Sequence, residues 1–412
     1  MSATKPARRR LRVVLPATAL VVGGLLTALM GQAALAQGSS APTSSASASP
    51  APTSSATPPT AAPVPAAPFA WQRAEVPFTK ADVELWDVIA GGLGFIAVGG
   101  GFAPGEEVGS AAIWVSEDGL SWQSVPLPGD AAAGVPRSIT ATADGYVAVG
   151  SGCCPDEAAV WLSVDGLSWE RLPDQPGFAD TAMLGVASAP EGIVAVGCSA
   201  ALECFSGLAW TSIDGRTWSE PLAIDLLPAG VAATSAGVVA LGSTESYDGS
   251  AALALSPDGL AWPEPTVVAA GGWLHAAVEQ PSGVLAVGGT TNPRNGRSVG
   301  LAATSADGLA WEPQDARHLR KVWVEDAAVH PDGWLFVGWQ ANGYEQSPAA
   351  LWTTDLQVFE PLEFPREMKG SGMLHAVAVG EDGVTAVAVG STVLNRGVVP
   401  TVWVSVEVAA PG

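Results

Sequence analysis

The sequence predicts an all-β fold: a seven-bladed β-propeller of four-stranded antiparallel blades, closed by pairing of its N- and C-terminal strands. Three observations carry this. A turn phrase, Ser-x-Asp-Gly-x-x-Trp, recurs along the chain. A five-residue apolar run ending in Gly recurs seven times. The two ends of the repeat region hold complementary fragments of one further blade.

The elements follow in chain order. Residues 1–12 hold five basic groups (Lys5, Arg8, Arg9, Arg10 and Arg12) and no acid, and Val13 to Met30 is apolar. Ala34-Leu35-Ala36 then supplies the small-x-small pattern of a signal-peptidase site, so residues 1–36 read as a signal peptide cleaved after Ala36. The alternative is an uncleaved single-pass anchor, because about 18 apolar residues approach a membrane span. Residues 37–68 are dominated by Ser, Thr, Ala and Pro and carry no charge. Such a composition cannot bury a core and reads as an extended linker.

The propeller is expected over 69–412. The phrase stands at Ser116/Asp118/Gly119/Trp122, Ser163/Asp165/Gly166/Trp169, Ser212/Asp214/Gly215/Trp218, Ser256/Asp258/Gly259/Trp262 and Ser305/Asp307/Gly308/Trp311, with a worn copy at Thr354, Asp355 and Phe359. Repeats of roughly 40–50 residues are a propeller signature. In the unit ending at Trp169, Ile139–Thr142, Tyr146–Gly150, Ala158–Leu162 and Ser168–Leu172 read as four strands, because β-branched residues alternate with Gly-marked turns. The run YVAVG at 146–150 has counterparts at 95–99, 193–197, 238–242, 284–288, 334–338 and 386–390, one per blade. Ala70–Arg73 reads as a fourth strand without a box before it, and Thr401–Ser405 as a third strand without a successor. Joined, they complete the seventh blade and remove two free sheet edges.

The phrase resembles the Asp box of the sialidase-like, BNR-repeat propellers, shortened by one residue between Asp and the aromatic. The resemblance implies a propeller fold in which the box is a peripheral hairpin turn, giving Asp118, Asp165, Asp214, Asp258 and Asp307 structural roles. The chemistry agrees. Ser and Asp satisfy turn hydrogen bonds, Gly permits positive φ, and Trp covers the turn. One Asp per turn is too few for calcium, which takes about six oxygens. The family's enzymes use an arginine triad, a Tyr–Glu pair and an Asp acid. The three tyrosines here, Tyr146, Tyr247 and Tyr344, sit in a core strand and two loops, and no arginine occupies the family's N-terminal motif. The resemblance therefore implies the fold and not sialidase catalysis.

Topology sorts the loops into two faces. The inner hairpins and the boxes share one. The loops between second and third strands, and those between blades, share the other, which varies in length and composition and is the expected binding face. Two features mark it. Eight cations from the last three blades, Arg294, Arg297, Arg317, Arg320, Lys321, Arg366, Lys369 and Arg396, form a candidate rim for an anionic ligand, or else scattered surface charge. Counting eight residues back from each inner-turn glycine gives Trp86, Arg137, Leu184, Ala229, His275, Glu325 and His375, at the mouth of the central channel. His275, Glu325 and His375 could ligate a transition metal, act as acid and base, or merely line a wet channel. Cys153 and Cys154 lie in one loop and Cys198 and Cys204 in the next. Outside the cell they should oxidise, as Cys198–Cys204 or as cross-links between the loops.

Composition bounds the function. Gly (48) and Pro (33) are too abundant for a helical bundle, and a net charge of −22 argues against nucleic acid. The leading expectation is a secreted or cell-wall-proximal monomer that binds an extracellular glycan or protein through its variable face, with no cofactor and no membrane contact beyond a possible N-terminal anchor. A glycoside hydrolase or lyase working at the channel mouth is the first alternative, and an assembly scaffold the second.

Overall fold

The computed structural model describes residues 67 and 69–407, apart from short segments at 78–81, 102–107, 153–156, 200–203, 205, 247–248, 293–296, 315–318, 320, 343–344, 366–370 and 395–396. The expected leader, the linker up to residue 66, Cys153 and Cys154 lie outside the described residues, as do all rim cations except Arg297 and Lys321. No helix among the described residues is long and apolar enough to cross a membrane.

Among the described residues, twenty-eight strands form seven antiparallel four-stranded sheets. Blade one comprises β2 (Glu84–Gly91), β3 (Gly94–Gly101), β4 (Ser110–Ser116) and β5 (Gln123–Ser124), running outward in that order. The innermost strands of blades two to seven are β6 (Val135–Thr142), β10 (Thr181–Ala189), β14 (Leu227–Thr234), β18 (Trp273–Gln280), β22 (Val322–His330) and β26 (Ser371–Val379). Blade seven runs β26, β27 (Ala386–Leu394), β28 (Gly397–Glu407) and finally β1 (Phe69–Arg73). The ring thus closes as the chain ends predict, with Trp71 opposite Ser405 and Arg73 opposite Trp403. Beyond the strand, the Ala74 amide donates to the Val402 carbonyl at 3.0 Å.

The second strands are buried on both faces. Ile96, Ala97 and Val98, for example, are fully covered. Packing between blades explains why the YVAVG-like runs are continuously apolar rather than alternating. The third strands each bring one tryptophan inward where blades one, two, three, six and seven carry it, and Trp161 and Trp210 are fully buried. The indole N–H of Trp114, Trp161 and Trp210 donates to the carbonyls of Pro77, Ala131 and Gly177, each in the link entering that blade. In these three blades the tryptophan fastens its blade to the preceding connection as well as filling the core.

The fourth strands are shorter than the sequence implies. In blade two the pairing is Glu170–Arg171, extended by the Leu172 amide to the Val160 carbonyl. In blade four it is delayed to Thr266–Ala269. Pro263 and Pro265 lie in between, and proline cannot donate to a ladder.

The boxes are built alike. At the first, Ser116 Oγ donates to Asp118 Oδ1 and accepts from the Gly119 amide. Asp118 Oδ1 accepts from the Leu120 and Ser121 amides, each at 2.8 Å. The Trp122 indole closes the turn on the Gly119 carbonyl. These donors hold the Asp118, Asp214, Asp307 and Asp355 carboxyls below the ordinary aspartate range, and that of Asp165 down to about 2. The worn copy begins one residue earlier than the sequence reading places it. Thr353, not Thr354, donates to Asp355 and accepts from the Leu356 amide. Leu356 takes the glycine place at φ 57°.

Candidate functional site: the channel mouth

The seven innermost strands share an irregularity that no strand reading could supply. Each carries a β-bulge against its neighbour, and the unpaired residue is Trp86, Arg137, Leu184, Ala229, His275, Glu325 or His375 in turn. The ring found by counting back from glycines is therefore the ring of bulged residues. A bulge re-aims one side chain out of the alternation of its strand. Because the innermost strands start on the variable face, the seven side chains gather at that end of the channel.

The mouth is two-sided. Blades three and four contribute only Leu184 and Ala229, and the residues that follow them are Gly185 and Gly230. A Cβ on Gly230 would sit 2.2 Å from the His275 carbonyl oxygen, so blades four and five approach here backbone to backbone. The other five blades supply large polar or aromatic groups.

Those groups form two clusters. In the first, the Arg137 guanidinium lies 3.8 Å over the Trp86 ring, and the His375 ring stands 4.4 Å from the same indole at 33°. Arg137 has no ion pair or hydrogen-bond partner among the described residues. Burial lowers its pKa to about 10, against the opposing pull of Glu84, whose own carboxyl burial raises. His375 Nε2 is buried without a partner. Burial, then Arg137 and His275, push that imidazole down to about 3, so it is neutral at pH 7.

In the second cluster, His275 Nδ1 lies 3.2 Å from Glu325 Oε2, and the Trp323 indole donates to His275 Nε2 at 3.0 Å. With Nε2 accepting, Nδ1 is the ring nitrogen that donates toward the Glu325 carboxyl. Glu325 Oε1 accepts from the Trp339 indole at 2.8 Å, and Trp323 and Trp339 stack at 12°. Both partners are tightly held, with side chains 17% and 15% exposed.

The three expected metal donors are not gathered into one set. No group of three or more His, Cys, Asp or Glu side chains among the described residues is placed to hold a metal ion. Both nitrogens of His275 are engaged, and His375 packs on Trp86 at a tilt of 33° instead. Arg297 and Lys321 are exposed on adjoining strand ends, where the Lys321 amide donates to the Ser298 carbonyl. On the same face Cys198 and Cys204 form a disulfide, one of the pairings left open by the sequence.

Sequence reasoning missed the layer below the ring. Asp87 follows the bulge of blade one and accepts from the Ser138 hydroxyl and Ile139 amide of blade two, both at 2.9 Å. Asp326 holds the same place in blade six and accepts from the Val377 amide of blade seven at 2.8 Å. Burial outweighs these donors and raises Asp87 to about 6. It raises Asp326 to about 8, with smaller contributions from the charges of Asp87 and Glu325. An acid directly after the ring position was the available signal.

Solved structures are similar to this chain at low sequence identity. The structure of YCF48 bound to D1 peptide is 16% identical, with 85% of this chain covering 99% of that one at a TM-score of 0.55. Trypanosoma rangeli sialidase in complex with the inhibitor DANA is 13% identical over 69% of this chain and 56% of the enzyme, at 0.45. A thermostable family-43 glycoside hydrolase is 15% identical over 57% and 91%, at 0.35. No family model and no curated protein matches the chain. The fold thus defines the class as a seven-bladed β-propeller.

Proposed function

We propose that this chain is an exported binding module whose propeller captures an extracellular glycan or protein at the channel mouth and its surrounding loops. The observation that carries the reading is the repeated bulge, which directs five large polar or aromatic side chains to one end of the channel. A fold that spends its box face on uniform turns and varies the opposite face is arranged for recognition there. The box repeat supports membership of the Asp-box propellers. A propeller of the same fold, YCF48, holds a peptide, which is a precedent for the architecture in binding. Residues 1–36 serve as the export signal and 37–68 as a spacer between cell surface and propeller. The basic rim, Arg294 to Arg396, adds attraction for an anionic partner.

The test is a combined glycan and peptide array probed with the full chain, with product analysis of every bound compound. The reading expects binding without turnover, weakened by His275→Ala. Turnover abolished by Glu325→Gln would establish the hydrolase or lyase alternative in its place. Absence of both binding and turnover would remove the mouth from consideration.

A further inference from the structure

Arg137 is half-buried at the mouth. A partly covered guanidinium is ordinarily paired or hydrogen-bonded. This one has neither among the described residues, and only the face of Trp86 supports it. A contact with a ring face takes up no N–H donor, so those of Arg137 are unspent among the described residues. Glu84, the acid whose charge it feels, lies beyond ion-pair distance. The second unspent group of the cluster, His375 Nε2, lies on a ring that packs on the same indole.

We propose that Arg137 is the receptor for a ligand carboxylate, and that the carboxylate belongs to the free C-terminal end of a peptide. The inference rests on the mouth being the binding site and names what it takes there. A planar carboxylate matches the fork of the guanidinium, and the contact supplies a counter-charge at hydrogen-bond distance, which Glu84 does not.

The surroundings favour a chain end over a sugar acid. The blade beside Arg137, on the side away from Trp86, presents Leu184, and the next presents Ala229, followed in each case by glycine. This arc offers an apolar side chain a place to bury and offers sugar hydroxyls no side-chain partner. In a peptide the terminal side chain sits one carbon from the carboxylate, which matches the adjacency of Arg137 and Leu184. The mouth is bounded on all seven sides by bulged strands, so an end can enter where a continuous polymer would have to lie across it. Recognition by Arg137 and Leu184 together reads charge and apolar volume at one terminus.

The probes are N-acetyl-leucine, its carboxamide and glucuronic acid, titrated into the full chain while the indole N–H resonance of Trp86 is followed by NMR. The acid should shift that resonance with saturable binding. The carboxamide and glucuronic acid should bind at least tenfold more weakly. Arg137→Gln should abolish the shift, Arg137→Lys should weaken it because the fork is lost, and Leu184→Asn should weaken the acid selectively. Arg137→Gln should melt close to the parent, since no ion pair of Arg137 among the described residues is lost, which separates loss of binding from loss of fold. Equal binding of acid and carboxamide, retention of binding in Arg137→Gln, or preference for glucuronic acid would each overturn the proposal. If the array selects a ligand whose binding ignores Arg137 but needs His275, this inference fails while the mouth remains the site.

Discussion

At the box turns a single backbone angle decides what a position tolerates. Gly119 has φ 73°, and a Cβ there would sit 2.7 Å from Val387 Cγ2 in the neighbouring blade. Left-handed backbone costs an L-residue about 1–2 kcal/mol, and the contact with Val387 adds to it. Gly119→Ala should lower the melting temperature by several degrees, whereas Gly92→Ala, with nothing within 4 Å, should change it little, as calorimetry would show. The recessed carboxylates give a second prediction at this scale. Asp326 and Asp87 have folded pKa values raised to about 8 and about 6, so the folded state holds protons that the unfolded state has released. Stability is then fullest below about pH 4 for these groups and falls as pH rises through 6 and then 8. One proton sets a slope of at most about 1.4 kcal/mol per pH unit. Melting followed from pH 5 to 9 should show the decline, and Asp326→Asn should remove its upper part. Neither acid was legible as an inter-blade tie, because the amides they serve lie 51 or 52 residues away and become neighbours only when blades stack.

The strands were legible wherever a repeated phrase marked their ends. The inner hairpin glycines fixed the second strands, and the constant offset from glycine to bulge is why counting eight residues back found the ring. What counting could not show is that these residues are bulged, since a bulge is a property of register between two strands. The worn box failed for a related reason. Thr353 and Thr354 are alike in sequence, and only the hydrogen bonds to Asp355 and Leu356 choose between them. β1 is the element on which closure depends. Its Trp71 is 3% exposed and stacks on Phe364, while Phe69 packs edge-on against Trp352. Deletion of residues 1–74 would leave the 11-residue β28 as an open edge, a template for pairing between molecules. Size-exclusion chromatography and thermal melting should show oligomers and loss of a single sharp transition. Deletion of residues 1–66, which stops short of β1, should leave both unchanged.

At the scale of the whole molecule, the Gly and Pro excess is the turn chemistry of the strands, and the tryptophans serve box turns, blade cores and the channel mouth. The seven repeats give a symmetric scaffold, and the departures from symmetry collect at one end of the channel: Arg137 on Trp86, His275 on Glu325, and the small residues of blades three and four. The central claim is that the ligand meets this end. Its most direct test is the dissociation constant of the array-selected ligand for the parent, for Trp86→Ala at the mouth, and for Ile213→Glu, an exposed position on a box turn. Weakening of tenfold or more by Trp86→Ala, with less than twofold by Ile213→Glu, is the predicted result. The reverse order would place recognition on the box face and contradict the account.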